Sequence, residues 1–418
     1  MADSATDYSS AAGILKEMLG GFKSSLRDSL PPLYQKLKPS AKRVWGKDFK
    51  FSVQTEEPQG VGSTLNSTVA VPEAEPGEYI ECMVPYTRMY GTLLYDDMLL
   101  EAAGNSKEGE RAFVDYTRTE MKGIKSKMAK EISRQAWGSK TGVICPCGVT
   151  AGLVILQLAT TAQMRHFSKK GHIDIITTAT GIAITNGSNR VIQSVDKTNK
   201  RLTLDAAGGV VTTDATMSVT RKGGYNAEMT GLADILSASA NIYGITTASY
   251  PRWTPMVVAA VGAFDIKKVI QAAIDNEADM GGDPTLIVSN VDLQGQYWYQ
   301  CTGSRSFDKG SSPLPPKQMG EGFYELYVII NGKAVPWISD PDCPAGELKM
   351  LCMDDLELGH IAEPDFIKVG GSPLLSNVVG SAGTPTWKAV IKYYPQMICT
   401  KRNSHISMTG ITDIAGWR

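Results

Sequence analysis

The stretch SKEGERAFVDYTRTEMKGIKSKMAKEISRQAW, residues 106–137, repeats apolar side chains at a helical interval along its whole length. Phe113, Val114, Thr117, Met121, Ile124, Met128 and Ile132 fall within about 100° of arc at 3.6 residues per turn. Outside that arc lie Arg111, Arg118, Lys122, Lys125, Lys127, Lys130 and Arg134, so the opposite side is basic. Asn105 or Ser106 is placed to cap the first turn, with Glu108 three residues after Asn105 as in a capping box. Gly138 stands where a terminating C′ glycine is expected. At about 1.5 Å per residue the helix spans about 50 Å, far beyond the usual length of about 11–12 residues. With one apolar stripe it must lie across a sheet or a partner and leave its basic side exposed.

On the N-terminal side, Phe49–Gln54 alternates like a strand, and strand-forming residues return between Glu78 and Tyr95: Tyr79, Ile80, Met83, Val84, Tyr86, Tyr90, Leu93 and Leu94. The Gly-, Pro-, Ser- and Thr-rich segment between them predicts a long hairpin. Its connection of about twenty residues exceeds the roughly 12–15 residues above which unstructured loops are uncommon and usually functional. From Phe51 to Thr87 there is no basic residue, while Glu56, Glu57, Glu73, Glu75, Glu78 and Glu81 are acidic. Residues 1–48 read as an arm. Ile14, Leu15, Met18, Leu19, Phe22 and Leu26 recur at helical spacing, and Pro31-Pro32 is expected to end that helix. Lys36, Lys38, Lys42, Arg43 and Lys47 make the rest of the arm basic, either as a solvated surface or as a contact with nucleic acid or a partner. Blocks of alternating sign suit a chain that meets copies of itself.

On the C-terminal side, residues 170–224 read as a β-rich insertion, with Val191–Val195 and Arg201–Leu204 flanking a polar turn. Beyond Tyr225 the pattern is mixed. Ile266, Val269, Ile270, Ala273 and Ile274 mark a helix closed by Gly281-Gly282, and Thr285–Ser289 is a short buried strand. A second helix carries Leu293, Tyr297 and Trp298, and residues 310–320 read as a loop. Val328–Ile330, Lys349–Met353 and Trp387–Cys399 are late strands. The class is α+β, without βαβ alternation.

A chain of 418 residues predicts two or three compact regions, and 42% hydrophobic with 20% charged residues excludes wholesale disorder. No window reaches the run of about eighteen apolar residues that a membrane span needs, and no secretory signal pattern opens the chain. Seven dispersed cysteines do not form a disulfide framework, which points to a reducing cytoplasm. Chemistry is hard to find. The pairs Gly46-Lys47 and Gly332-Lys333 are not followed by Ser or Thr, so there is no phosphate-binding loop. His166, His172, His360 and His405 pair with nothing at ligand spacing, and Cys145-Pro-Cys147 lacks the second pair of a structural zinc site. Asp354-Asp355 with His360 reads as a polar turn. No catalytic residue, metal site or cofactor is expected, and the chain reads as a non-enzyme.

The order of elements matters more than any motif. A basic arm, a long hairpin, one very long helix and an α+β body resemble the major capsid proteins of tailed bacteriophages, whose fold is named after the phage Hong Kong ninety-seven. Local phrases agree: Gln135-Ala-Trp-Gly138 closing the helix, Thr230–Ile235 leading into Tyr243-Gly-Ile245 and Trp253, Asp283–Ser289 before a helix, and a last strand from Trp387 to Thr400. The resemblance implies an arm over 1–48, an extended loop over 49–98, and a spine helix with peripheral domain over 99–169. The insertion follows over 170–224, an axial domain over 225–350, and a return to the peripheral domain over 351–418. It also implies a structural subunit that assembles as pentamers and hexamers into an icosahedral shell around phage DNA. Such a shell would be built in the bacterial host cytoplasm, with scaffold, portal and decoration proteins as further partners and no membrane. Glu56, Glu57, Glu73 and Glu75 are then expected to face Lys122, Lys125 and Lys130 of a neighbouring subunit. The basic arm would either meet packaged DNA or a scaffold through sequence-independent charge or pack under a neighbour. An encapsulin-type nanocompartment shell, a tail or baseplate protein and an unrecognised enzyme are the other readings.

Some members of that family crosslink subunits through a Lys of the extended loop and an Asn of a neighbour. No Lys lies between Lys50 and Lys107 here. Denaturing gels of assembled particles are therefore expected to give one monomer band, and a covalent ladder would contradict this.

Overall fold

In the computed structural model the long helix runs from Lys107 to Trp137. The structure describes residues 32–40, 44–46, 48–58, 60–63, 73–303, 326–361, 363–376 and 386–414, with Leu15, Met18, Leu19 and Phe22. Ser106 caps the helix, its Oγ accepting from the Gly109 N–H at 3.0 Å. Gly138 ends it in an extended conformation, φ −78° and ψ −170°, and not as the left-handed C′ glycine expected. What Gly138 supplies is room, because a Cβ there would lie 3.0 Å from the Arg134 carbonyl oxygen.

The expected stripe is the buried one. Phe113, Thr117, Met121, Met128 and Ile132 are buried, and Val114 and Ile124 half-buried. They rest on the strand Met89–Asp96, whose inward residues Met89, Leu93 and Tyr95 alternate with exposed ones. Gly91 sits where the two meet: a Cβ there would come within 2.8 Å of Ile124 Cγ2 and 3.0 Å of Met128 Sδ. Tyr95 and Phe113 pack with ring centroids 5.4 Å apart. Each such side chain contributes on the order of 1.5–3 kcal/mol on full burial. Thr386–Tyr393 pairs antiparallel with Met89–Asp96 along its full length, and its other edge takes Asp365–Phe366 and Leu374–Ser376.

The hairpin forms from Asp48–Glu56 and Glu78–Pro85, in register from Asp48↔Pro85 to Glu56↔Glu78. The run read as one strand from Glu78 to Tyr95 breaks at Pro85. Proline has no N–H to continue a ladder, and Met89–Asp96 turns away into the sheet under the helix. Trp387–Cys399 breaks likewise before Pro395, and Pro395–Cys399 pairs instead with Leu356–His360. The two breaks adjoin: the Thr87 N–H donates to the Pro395 carbonyl at 3.3 Å, and Tyr86 lies 5.6 Å from Tyr394.

The insertion begins earlier than the expected residue 170. Its six-stranded sheet runs Val143–Pro146, Met217–Arg221, His172–Thr177, Arg190–Asp196, Arg201–Leu204 and Ile155–Gln157 in spatial order. It encloses its own core, which includes Ile144, Leu156, Ile173, Ile192 and Val219. These short strands near residue 150 carry too few residues each for their pattern to stand out in the sequence.

A third core lies in another six-stranded sheet, with Leu286–Ser289 near its middle and the helices Ile266–Met280 and Val291–Gly303 packed against it. Gly281 ends the first helix in the left-handed region, φ 62°, as expected. Ile406–Met408 inserts between Met256–Val258 and Leu348–Leu351 of this sheet. Ile406 and Met408 are fully buried in this core.

Leu15, Leu19 and Phe22 are buried in the main core beside Leu33, Tyr34 and Leu37. The short helix Pro32–Lys36 starts on Pro32, a favoured first position. Lys36 is exposed, and the backbone of Lys38 joins a strand parallel to Leu356–His360. Lys42, Arg43, Lys47 and the loop 310–320 lie outside the described residues.

Candidate inter-subunit surfaces

Lys122, Lys127 and Lys130 are exposed on the long helix and Lys125 is half-buried. Among the described residues none of the four forms an ion pair. The sheet under the helix has a second bare face, where Tyr90 and Leu94 are half-exposed opposite Lys392 and Lys388.

Arg134 was expected on the basic surface and is instead buried. Its guanidinium binds both Glu131 and Glu228, the latter at 2.5 Å. Arg221, from the insertion, holds the other Glu131 oxygen at 3.2 Å and the His166 carbonyl at 2.7 Å. Asp342, at the edge of the third core, accepts from Ser133 of the long helix and from Arg165 at 2.7 Å. One polar junction thus joins the end of the helix to the insertion and to the third core. Burial disfavours the ionised Glu131 carboxylate, but Arg134 and Arg221 outweigh it and hold its pKa down to about 2. At Glu228 burial prevails over the single pair with Arg134, and the pKa rises.

Arg402 is a second buried cation, and among the described residues it forms no ion pair. Its guanidinium donates to the carbonyls of Ile235 at 2.8 Å, Ala240 at 3.1 Å, Asp234 at 3.1 Å and Ser237 at 2.5 Å. These carbonyls belong to the end of the helix Leu232–Ile235 and to the segment just after it. No local sequence pattern announces such a clamp.

Of the hairpin carboxylates, Glu73 and Glu75 are exposed and Glu56 is half-buried. Glu57 departs from its expected place: Arg252 of the same chain binds it at 2.7 Å. The Tyr250 hydroxyl donates to Glu78 at 3.2 Å, and Phe51 packs edge-on to Tyr243 at 5.4 Å. The loop end of the hairpin ladder is therefore tied to residues 250–253 of the same chain. Among the described residues no ion pair joins Glu56, Glu57, Glu73 or Glu75 to Lys122, Lys125 or Lys130 within one chain.

No set of three metal-ligating side chains converges among the described residues. Cys145 and Cys147 are buried free thiols, and burial, with Cys145 beside it, pushes Cys147 up to about 12. Asp354-Asp355 lies in the turn before Leu356–His360.

No protein-family model and no curated sequence matches the chain. Among solved structures, a chain of the cyanophage A-1(L) capsid asymmetric unit superposes with a TM-score of 0.51, covering 92% of this chain and 93% of that chain at 12% identity. The capsid of the native GTA particle follows with a TM-score of 0.42 at 8% identity, covering 91% and 90%. The encapsulin complex SrpI of Synechococcus elongatus gives 0.40 at 8% identity, covering 91% and 86%. The first likeness is a likeness of fold over nearly the whole chain. This chain has a phage capsid-like fold.

Two buried histidines make the fold acid-sensitive. Burial holds His166 and His405 down to about 4 from the usual 6.5. Between those values the unfolded chain takes up protons that the folded chain refuses, so stability falls as pH drops from 6.5 towards 4. Below that, protonation of Glu131 continues the loss. Thermal unfolding of the unassembled chain by circular dichroism should show its midpoint falling across this window, less steeply in His405→Gln. A midpoint level from pH 6.5 to 4 would contradict it.

Proposed function

We propose that the chain is the major capsid subunit of a tailed phage, a structural protein that assembles into the icosahedral shell around phage DNA. The single observation that carries this reading is the capsid-like fold over nearly the whole chain, with a hairpin, the strand Met89–Asp96 and then the long helix in order. The ladder of the hairpin packs on its own subunit as far as Glu57 and Glu78, so the part free to reach a neighbour is the connection beyond them. Its use is to lie over a neighbouring copy within pentamers and hexamers.

The charge pattern supports the pairing. Glu73 and Glu75, and behind them Glu56, meet Lys122, Lys125 and Lys130 of the neighbour. Exposed pairs contribute only about 0–1 kcal/mol each. They set register and orientation, and apolar burial supplies most of the assembly energy. Glu57 contributes through Arg252 by aiming the hairpin. Lys36, Lys38, Lys42, Arg43 and Lys47 of the arm face inward, towards packaged DNA or a scaffold. The protein's place is the virion, with assembly in the host cytoplasm and without a catalytic step of its own.

The test is assembly. The purified wild-type chain, with scaffold if assembly requires it, is expected to sediment as closed particles. Lys122→Glu with Lys125→Glu should impair particle formation while leaving the circular dichroism spectrum unchanged. Normal particles from that variant would refute the pairing, and a wild-type chain that never forms shells would refute the function.

A further inference from the structure

The helix Ile266–Met280 of the third core carries its charges the wrong way round. Its first turn holds Lys267 and Lys268 and no acid, and its last turns hold Asp275, Glu277 and Asp279 and no base. A helix dipole favours the opposite, anions near the N-terminus and cations near the C-terminus. Part of this is answered within the chain. The cap Asp265 accepts from the Lys267 N–H at 3.0 Å, and Lys268 donates to the Val261 carbonyl at 2.7 Å. Lys401 donates to the Gly281 carbonyl at 3.3 Å, and Glu277 accepts from Asn331. Of the other charges near the two ends, Lys333 is paired with Asp283 at 2.5 Å and Asp413 accepts from Gln296 at 2.6 Å. Asp275 accepts from Gln271 at 2.7 Å. Among the described residues, Lys267, Asp275 and Asp279 form no ion pair. Lys267 and Asp279 are exposed and Asp275 is half-buried. The line between the two ends is also open: Lys267, Gln271, Ile274 and Ala278 share one helix face, and all four are exposed.

We infer that these two ends are the two halves of one contact between copies, in which Lys267 of one subunit meets Asp275 and Asp279 of the next and repetition closes the ring of a pentamer or hexamer. The inference rests on the shell reading above and gives its ring contact named residues. A ring joins two different patches of each copy, one to the neighbour on either side. At about 1.5 Å per residue, Lys267 and Asp279 stand about 18 Å apart along the helix. They are therefore separate patches, of opposite sign, with the uncharged Gln271 and Ile274 between them. A partner of another kind, acidic or basic, would use one end and leave the other unanswered. A second copy answers both. The dipole also gives the contact its direction. Set end to end, the acids of one helix stand by the N-terminus of the next, and Lys267 of that next helix stands by the C-terminus of the first. Charges opposed to their own helix thus suit the neighbour's. Exposed pairs set orientation more than adhesion, so the contact aligns copies within the shell and leaves the free subunit monomeric.

The test is crosslinking, with a short bis-maleimide, of assembled particles that carry both Lys267→Cys and Asp279→Cys. Six of the seven native cysteines are buried and Cys301 is half-buried, so wild-type particles serve as the control for background. The expected result is a ladder of covalent multimers that ends at pentamer and hexamer, absent from wild-type particles and from either single-cysteine variant. New thiols that label readily but give no ladder would overturn the ring contact and leave the shell reading intact. Dimers from a single-cysteine variant would also overturn it, because like ends would then meet across a two-fold axis. Charge reversal is the second test should the double variant fail to assemble. Lys267→Glu should lower particle yield severalfold without lowering the thermal midpoint of the free chain, since an acid in the first turn suits the helix's own dipole. Adding Asp279→Lys should restore the yield, and a yield unchanged in Lys267→Glu would contradict the contact. Failure of the wild-type chain to form particles would instead remove the shell reading on which it rests.

Discussion

The seating of one helix face on one sheet governs this molecule. The long helix has a single apolar stripe and no means of hiding it alone. It is buried because Met89–Asp96 offers a matching row, and because Gly91 lets the backbone approach where Ile124 and Met128 would otherwise collide with a side chain. That seating places the basic side of the helix outward. It also sets the direction from which the hairpin departs, since Met89–Asp96 is the continuation of the hairpin's own second strand past Pro85.

Three hydrophobic cores in one chain raise the question of what holds them in fixed relation. Apolar packing does this within each core. At the junction where the helix ends, a buried and half-buried polar set does it instead: Arg134 and Glu228 with Glu131 and Arg221, and Asp342 joined through Ser133 and Arg165. Buried ion pairs stabilise little compared with apolar packing of the same volume, yet breaking one leaves an uncompensated charge that costs several kcal/mol. Such a junction is directional where a greasy contact is not. In a shell, where small errors in the angle between parts accumulate over many copies, direction is worth more than raw adhesion.

Much of the fold was legible because it is local. The helix limits followed from Ser106 and from the apolar period, the second helix from Gly281, and the central strand of the third core from its uninterrupted Leu286–Ser289 run. The errors have a common cause, which is a partner remote in sequence. Arg134 has the same wheel position as a surface cation until Glu228 closes over it from 94 positions away. Glu57, still exposed, meets Arg252 from 195 positions away, and no local pattern marks the carbonyls that Arg402 binds. The candidate site was legible as two blocks of charge and not as a geometry, because among the described residues no ion pair joins the two blocks within one chain. Pro85 and Pro395 were readable breaks, masked by the strand-forming residues on either side.

The most direct measurement is a cryo-electron-microscopy reconstruction of particles assembled from this chain, at a resolution that traces residues 48–85. The account predicts a closed icosahedral shell in which that hairpin lies across a neighbouring subunit, its acidic outer part over the neighbour's Lys122–Lys130 face. Rings, tubes or monomers would contradict it, as would a shell in which the connection between the hairpin's two strands touches no neighbouring subunit.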